Sequence, residues 1–336
     1  MKRATIKDVA RHANVSIATV SRVINNEGTV AEENREKVQA SIDELKYYLN
    51  KTAANLKKNA SNVIGIVIPD MTNDFFMKLI MGIEDGLEQS NYVFYVASTR
   101  DNPKKEEDIL RKLLESNVEA IILLTAGVDK SFVYELHEME SKVIVVDRRV
   151  SEPEFFPYVG ENNYEMAYEL VKEFMKQTSY KQFALVGGYE DLSIGKDRSG
   201  AAIRALKEEQ VEYQYYDGGY SEKSAHRLFY ELKKIYPKGC GIISLNNTMT
   251  DGFLRGIYEE NNGENSGENT RLYPIASYGQ VQFHTIFNEN VLVAIKQFPY
   301  QLGIETAKLI QGYNEKQQPP PVRVVNSIIV KKGEKQ

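Results

Sequence analysis

From Val63 onward, runs of β-branched and aliphatic residues alternate with longer amphipathic segments, and this alternation limits the fold more than any other feature. VIGIVIP at 63–69 is typical of a buried strand, and FFMKLIMGIEDGLEQ at 75–89 is typical of a helix. The alternation continues to KVIVVD at 142–147 and restarts with YEMAYELVKEFMKQ at 164–177. Such a pattern predicts parallel sheets covered by helices. Two successive α/β halves predict two lobes with a ligand cleft at the carboxyl ends of their strands.

Length and charge indicate a second, smaller domain before this body. The chain has 336 residues, which exceeds one ordinary domain, and its 42% hydrophobic residues are enough for a substantial core. Residues 1–60 carry 11 Lys and Arg against 7 Asp and Glu, although the whole chain has a net charge of −5. A basic head on an acidic body predicts a protein that contacts a polyanion at one end.

Several classes of protein lack support in the sequence. No apolar run approaches the roughly 18 residues of a membrane span, and MKRATIKDVARHA at the N-terminus has no apolar signal core. A single cysteine, Cys240, suits the cytoplasm, and the four scattered histidines predict no metal site. Nucleotide-binding loops, nucleophile motifs and catalytic His/Asp pairs are also missing. We therefore expect neither an enzyme nor a transport protein, with no cofactor, metal or membrane partner.

Residues 5–25 have the pattern of two helices joined by a sharp turn. Thr5 can cap the first helix, whose apolar face is formed by residues at i, i+3, i+4 and i+7: Ile6, Val9, Ala10 and Ala13. Asn14 tolerates the left-handed conformation that the turn requires, and Ser16 can cap the second helix. A third helix is predicted from about Glu32 to Leu45. The pattern indicates an all-α helix-turn-helix head.

The exposed face of the second helix suggests DNA recognition. Its buried side is Val20, Val23 and Ile24, so Ile17 and Ala18 are apolar where no core remains to fill, with Arg22 beside them. Short apolar groups can meet thymine methyl groups, and arginine can make paired hydrogen bonds to guanine. The alternative is a three-helix interaction module with a solvated arginine. The predicted DNA-binding residues of the head are Thr5, Ser16, Ile17, Ala18, Thr19, Ser21, Arg22, Asn25 and Tyr47.

Three segments of the head resemble the LacI/GalR family of bacterial repressors: TIKDVARHANVSIATVSRVIN, VAEENREKV and LKYYLNKTAANLK. The pair Ile17-Ala18 is similar to the Val-Ala of the galactose-repressor branch. The resemblance implies a helix-turn-helix domain over 1–48, a hinge helix over 49–61 and an effector-binding and dimerisation domain over 62–336. It further implies a homodimeric, cytoplasmic, nucleoid-associated repressor of a carbohydrate operon that binds a pseudo-palindromic double-stranded operator.

The resemblance assigns a role to YYLNKTAANLKK at 47–58, which has too little apolar surface to fold as an isolated helix. In the family this hinge pairs with its partner in the minor groove, where a leucine at the position of Leu56 opens the central base step. Asn50 and Ala53 are the other predicted hinge contacts. The glycine and proline usual before Asn50 are absent, which predicts a looser hinge; a plain linker is the alternative.

The body is similar, though less closely, to the two-lobed core of periplasmic sugar-binding proteins. This implies lobe 1 at about 62–160 and 296–322, and lobe 2 at about 161–293 and 323–332. Effector-binding residues are expected at strand ends: Phe75, Phe76, Asp147, Arg198, Tyr220, Asn246 and Gln297. Such residues suit a sugar, because carboxylates, amides and arginine bond hydroxyl groups while aromatic faces pack on C–H groups. The alternatives are a core role for the two phenylalanines and rim salt bridges for Asp147 and Arg198.

One departure from the family pattern raises a second hypothesis for the effector. Gly279-Gln280 and Asn247 stand where many relatives have acidic residues. The cleft keeps four basic residues: Arg148, Arg149, Arg198 and Lys296. This shift toward positive charge suggests an acidic or phosphorylated sugar. In either case, a coupling of about 1–3 kcal/mol between effector and lobe angle would change operator affinity roughly 5–150-fold.

Overall fold

The computed structural model describes residues 4–25, 28–47, 61–139, 141–261, 272–281, 289–312 and 321–331. The chain divides into two compact units, Met1–Ser61 and Asn62–Gln336. We refer to them as the head and the body. No helix among the described residues is long and apolar enough to cross a membrane.

The described residues of the head form three helices: α1 (Ile6–His12), α2 (Ile17–Asn25) and α3 (Glu32–Glu44). A reciprocal capping box begins α1. The Thr5 N–H donates to the Asp8 carboxylate at 2.9 Å, and the Asp8 N–H donates to the Thr5 hydroxyl. Asn14 has a φ of 52°, the left-handed conformation predicted for the turn between α1 and α2.

The three apolar helix faces meet in one small core. Val9, Val20 and Val38, one from each helix, are fully buried at its centre. The other apolar residues of these helices and their ends also belong to the core or pack against it: Ile6, Ala10, Ala13, Val23, Ile24, Ile42 and Leu45. The predicted helix-turn-helix head is therefore confirmed.

The body contains two mainly parallel sheets, each of six strands among the described residues. Sheet 1 has the order β11-β5-β4-β3-β1-β2: β1 (Val63–Ile68), β2 (Val93–Ser98), β3 (Ala120–Leu123), β4 (Val143–Val146), β5 (Tyr158–Gly160) and β11 (Val322–Val324). Sheet 2 has the order β12-β10-β9-β8-β6-β7: β6 (Gln182–Gly187), β7 (Glu212–Asp217), β8 (Gly241–Ser244), β9 (Ile275–Ser277), β10 (Val291–Lys296) and β12 (Ile328–Lys331). Among these described strands, β12 alone runs antiparallel to its neighbour, β10. The predicted α/β body with two parallel sheets is confirmed.

Helices pack on both faces of each sheet. Those of the body are α4 (Asp74–Gly86), α5 (Pro103–Glu115), α6 (Lys130–Glu138), α7 (Asn163–Gln177), α8 (Ser193–Glu208), α9 (Glu222–Ile235), α10 (Asn247–Asn261) and α11 (Pro299–Gln311), with a short 3₁₀ helix at Pro153–Phe155. Two hydrophobic clusters flank sheet 1 and two flank sheet 2. We call each sheet with its helices a lobe, lobe 1 for sheet 1 and lobe 2 for sheet 2.

Among the described elements, the chain passes between the lobes three times, and we call these passages the crossings. The first lies between β5 and α7, at 161–162. The second lies at 297–298, between β10 and α11, which packs against α4 in lobe 1. The third lies at 325–327, between β11 and β12.

Two of these positions differ slightly from the expected boundaries at 293–296 and 322–323. Strand β10 stays in sheet 2 as far as Lys296, because Lys296 still pairs with Ile328 of β12. Strand β11 stays in sheet 1 as far as Val324, because Val324 pairs with Gly160 of β5. Strand pairing, which the sequence pattern does not display, therefore sets both boundaries.

Two glycines allow α4 and α11 to approach closely. This contact fixes α11, which follows the second crossing, to lobe 1. A Cβ atom on Gly82 would overlap the carbonyl oxygen of Tyr300, and one on Gly303 would overlap that of Leu79. Both obstacles are backbone atoms, which cannot move aside without separating the helices.

We expect Gly82→Ala to reduce the free energy of unfolding by about 1–3 kcal/mol, because the added methyl group overpacks this helix contact. Urea denaturation of the full chain measures the change. Gly200→Ala is the matched control: this glycine is also helical, but a Cβ there meets nothing within 4 Å. The control should gain roughly 0.5–1 kcal/mol from helix propensity. Equal effects of the two substitutions would contradict the close-packing interpretation.

Candidate functional site

In the head, α2 presents a compact group of side chains to solvent. Ile17 is 46% exposed, and Ala18 and Arg22 are exposed as well. Ser16 and Thr19 hold the start of the helix, since the Thr19 N–H donates to the Ser16 hydroxyl at 3.1 Å. An exposed isoleucine and alanine have no packing role here, so this surface is suited to contact another molecule.

The other predicted DNA-binding residues lie in different surroundings. Thr5 is engaged in the capping box, Ser21 is half-buried, and Asn25 is the last residue of α2. Tyr47 packs partly against the head core, and burial raises the pKa of its hydroxyl. The predicted hinge contacts Asn50, Ala53 and Leu56 lie outside the described residues.

In the body, Asp147 lies where β4 ends, at the carboxyl edge of sheet 1. It has a φ of 62°, and its carbonyl oxygen accepts a hydrogen bond from the Tyr158 hydroxyl at 2.9 Å. The side chain is buried, and its Oδ1 has no hydrogen-bond partner among the described residues. A buried carboxylate oxygen without a donor is costly, so Asp147 is suited to accept a hydrogen bond from a ligand.

Arg198, on α8 of lobe 2, is a buried cation held on three sides. Its Nε donates to the Asn163 side chain at 2.7 Å, and its Nη1 donates to the Leu245 carbonyl at 3.2 Å. The guanidinium lies 3.8 Å from the centre of the Tyr278 ring, a cation–π contact. Tyr278 is fully buried, and burial raises the pKa of its hydroxyl.

Tyr220 is the third residue of this region, after Asp147 and Arg198. Burial raises the pKa of its hydroxyl, and the charges of Arg198, Arg148 and Asp147 also act on that pKa, so the hydroxyl lies within electrostatic range of all three groups. The hydroxyl is buried and has no hydrogen-bond partner among the described residues. Its ring lies edge-on to Tyr189, with 5.2 Å between the ring centres. Asp147, Arg198 and Tyr220 therefore form the centre of the candidate effector site.

The remaining predicted effector residues have other contacts. Phe76 is buried in the core of lobe 1, and Phe75 is half-buried against it, edge-on at 5.4 Å. The Asn246 side-chain oxygen accepts from the Met249 N–H at 3.3 Å, as a cap at the start of α10. The Gln297 amide donates to Glu161.

The arginines beside the site are paired with carboxylates. Arg148 Nη1 lies 2.5 Å from Asp101 Oδ1, and Arg149 Nη1 lies 3.7 Å from Asp197 Oδ2. Lys296 lies 5.7 Å from the centre of the Phe298 ring. These pairs offset the positive charge that the loss of acidic residues at Gly279-Gln280 suggested for the cleft.

Direct hydrogen bonds join the two lobes beside the site. Asn73, which caps α4 in lobe 1, donates to the Thr248 hydroxyl at 3.3 Å and accepts from Asn247 at 3.4 Å. The Arg149 N–H donates to the Ser193 hydroxyl of lobe 2 at 2.9 Å. The described structure is thus a closed arrangement, and a ligand here would contact both lobes.

Gly279 shows why an acidic residue does not fit at this point of the wall. Its φ of 101° favours glycine, and an added Cβ would lie 2.9 Å from Gln297 Oε1 and 3.1 Å from Asn247 Cβ. A longer side chain would need both neighbours to move. The described residues include no group of three or more His, Cys, Asp or Glu side chains that could hold a metal ion.

Sequence reasoning missed Tyr278, which stacks under Arg198, and Glu161, which binds Gln297. An aromatic residue after a strand reads as ordinary core, and Glu161 in GENN reads as a polar loop residue. Arg198 could have pointed to Tyr278, because a buried guanidinium requires partners such as an aromatic ring.

Comparison with known proteins gives the same division of the chain. Residues 5–50 match bacterial regulatory proteins of the lacI family, and residues 64–311 match a periplasmic binding protein domain. The ribose operon repressor of Bacillus subtilis (strain 168) is 33% identical over 316 residues, which cover 94% of this chain and 93% of that protein. Catabolite control protein A of Staphylococcus epidermidis is 29% identical over 243 residues, covering 71% of this chain and 73% of that protein.

Solved structures show the same fold. The lac repressor dimer bound to operator and the anti-inducer ONPF aligns with a TM-score of 0.79 at 20% identity, over 98% of both chains. A periplasmic solute-binding protein of Actinobacillus succinogenes 130z with bound D-allose aligns with a TM-score of 0.69 at 17% identity, over 80% of this chain and 97% of that one.

One buried carboxylate near the site has a strongly shifted pKa. Glu106 of α5 is fully buried; it accepts hydrogen bonds from the Thr125 hydroxyl at 2.7 Å and from the Ala126 N–H. Burial raises its pKa from 4.5 to about 7, and these hydrogen bonds and the charge of Arg148 only partly oppose the rise. Between pH 4.5 and 7 the folded chain therefore keeps a proton that the unfolded chain releases.

We expect this carboxyl group to make the protein less stable as pH rises from 4.5 to 7, by on the order of 3 kcal/mol. Glu106→Gln removes that titration, so its melting temperature should fall less than that of the wild type over this interval. Calorimetric scans across the interval measure both slopes. Parallel slopes would show that Glu106 does not titrate there.

Proposed function

Because this chain belongs to the lacI family of bacterial regulatory proteins, we propose that it is a sequence-specific DNA-binding repressor of a carbohydrate operon, controlled by a sugar in the cleft of the body. The observation that carries the proposal is the pairing of two sites in one chain. One is the exposed Ile17, Ala18 and Arg22 surface of α2; the other is the buried, partly unpartnered polar site around Asp147. A regulator needs both a site that reads DNA and a site that responds to a metabolite.

For the head, α2 is the proposed recognition helix. Ile17 and Ala18 would contact thymine methyl groups in the major groove, and Arg22 would make paired hydrogen bonds to a guanine. In a homodimer, two such helices would read half-sites of a pseudo-palindrome about one helical turn apart. The proposal includes the paired Leu56 hinges at the centre of the operator, and action at the nucleoid in the cytoplasm without catalysis.

For the body, a neutral sugar is the proposed effector. Asp147 Oδ1 needs a hydrogen-bond donor, which a sugar hydroxyl supplies, and the Tyr220 hydroxyl is free among the described residues to bond a second one. The nearby arginines have Asp101 and Asp197 as partners, so an extra anion would face a site without surplus positive charge. The name of the ribose operon repressor, which is similar over nearly the whole chain, makes D-ribose the first sugar to test.

The contact proposed for Arg22 predicts a specific loss of DNA binding. Arg22→Ala should weaken binding to a duplex selected by the wild-type protein from a random pool by about 5–150-fold, the value of one bidentate base contact. Binding to unrelated duplex should change much less. Fluorescence anisotropy at fixed salt measures both affinities, since phosphate contacts depend on ionic strength.

Arg11→Ala is the matched control, because Arg11 is an exposed arginine on α1 that pairs with Asp8 at 3.3 Å. It removes the same charge from the head but no proposed base contact. Equal losses for the two variants, on selected and unrelated duplex alike, would rule out Arg22 as a base-reading residue.

The proposed effector site predicts stabilisation by a neutral sugar. D-ribose at 100 times its dissociation constant should stabilise the full chain by about 2.7 kcal/mol, visible as a higher melting temperature. Asp147→Asn should lose most of this shift, because an amide replaces the carboxylate acceptor.

D-ribose 5-phosphate and D-ribonic acid complete the comparison. Stabilisation by these anions alone would favour the second hypothesis, an acidic or phosphorylated sugar. Stabilisation by another neutral sugar in the same screen would keep the neutral-sugar proposal and replace ribose.

A further inference from the structure

The three crossings meet at one buried side chain. Glu161 lies at the first crossing and is only 3% exposed. Its Oε1 accepts from the hydroxyl of Ser327, at the third crossing, at 2.7 Å. Its Oε2 accepts from the Nε2 of Gln297, at the second crossing. One carboxylate thus joins three segments that lie far apart in the sequence.

The backbone supports this junction at one further point. The Val325 N–H of the third crossing donates to the Gly160 carbonyl, next to Glu161, at 2.9 Å. No direct bond between the backbones of the first and second crossings is among the described contacts, so Glu161 supplies that link through its side chain. The relative position of Gln297 therefore depends on Glu161.

The junction also fixes which end of the Gln297 amide faces the effector site. A carboxylate accepts hydrogen bonds, so the NH₂ group of Gln297 must point to Glu161. The opposite end, Oε1, then points toward Gly279, where an added Cβ would lie only 2.9 Å away. Gln297 thus offers an acceptor, and not a donor, at the wall of the cleft.

We propose that Glu161 is a positioning residue of the effector site, which holds the three crossings together and orients Gln297 to accept a hydrogen bond from an effector hydroxyl. The effector part rests on the function proposed above. A hydrogen-bonded carboxylate where the chain crosses between the lobes lets a change of lobe angle and a change at Gln297 occur together. Glu161 needs no contact with the ligand to have this effect.

Hydrogen–deuterium exchange on the full chain tests the junction without any effector. In Glu161→Gln the new amide can accept from only one of the two donors, and its NH₂ group opposes the NH₂ group of Gln297 or faces Ser327. Peptides covering 295–299 and 324–328 should exchange about tenfold faster than in the wild type, as expected for the loss of a hydrogen bond to a charged group. Unchanged exchange in both peptides would overturn the proposal.

Glu106→Gln is the matched control, because Glu106 is also a buried carboxylate with two hydrogen-bond donors, both within lobe 1. Its exchange should rise around 124–128 and stay at the wild-type rate in the two crossing peptides. A general loss of stability would instead raise exchange at the crossings in both variants, which would also overturn the proposal.

The double variant Glu161→Gln with Gln297→Glu reverses the two chemical groups and restores a donor–acceptor pair. Slow exchange of peptide 295–299 should return in this variant, whereas Gln297→Glu alone should place two carboxylates together and exchange fast. Failure of the double variant to restore protection, when both single variants lose it, would mean that the link is not this hydrogen bond.

A titration with D-ribose separates this inference from the proposed function. If wild type binds D-ribose, Glu161→Gln should bind it about tenfold more weakly, and equal affinity would overturn the orienting role. If the wild type does not bind D-ribose, the choice of ribose fails while exchange at the crossings still decides the junction.

Discussion

The buried guanidinium of Arg198 is the constraint around which the cleft is built. A charge removed from water costs several kcal/mol unless its donors and its positive face have partners. Asn163 of α7, the Leu245 carbonyl after β8 and the ring of Tyr278 after β9 supply them. Four elements of lobe 2 are therefore fixed relative to one cation. The negative charge of Asp147 also acts on this cation and offsets part of the cost of its burial.

The weak connection between the lobes allows their arrangement to change when a ligand binds at this site. Each lobe has its own hydrophobic clusters and sheet, and the crossings are the covalent links between them. Direct contacts such as Asn73 with Thr248 are single hydrogen bonds at about 3.3 Å, each worth about 1 kcal/mol. Contacts of this strength can break and reform when a ligand enters or leaves. A bound molecule can therefore stabilise the closed arrangement, and its dissociation allows the lobes to separate.

Local patterns predicted much of this fold. The spacing of Ile6, Val9 and Ala10, with Asn14 at the turn, was enough for the head, because sequence neighbours form its helices and turn. Strand-helix alternation was enough for two parallel sheets. Strands β5 and β10 were not predicted: one has three residues, and both are fixed by pairing with strands distant in the sequence.

The candidate site was predicted less completely, because it too depends on contacts between segments that are distant in the sequence. Asp147 was found because a carboxylate directly after a buried strand stands out, whereas Arg198 and Tyr220 were found through the resemblance to the LacI/GalR family. The charge of the cleft was not predicted correctly, because Arg148 pairs with Asp101, which lies 47 positions away in the sequence. The partnership of Glu161 with Ser327 spans 166 positions. Side-chain pairs of this separation depend on the finished topology, so residue types alone do not indicate them.

Gly279 has a consequence for how the ligand preference of such a protein can change. Its φ of 101° disfavours any side chain, and an added Cβ would require the Gln297 amide and Asn247 to give way. A carboxylate could enter this wall only together with smaller or displaced neighbours, and Gln297 is itself tied to Glu161. A change of ligand preference at position 279 therefore involves the bond between Gln297 and Glu161 as well as the wall itself.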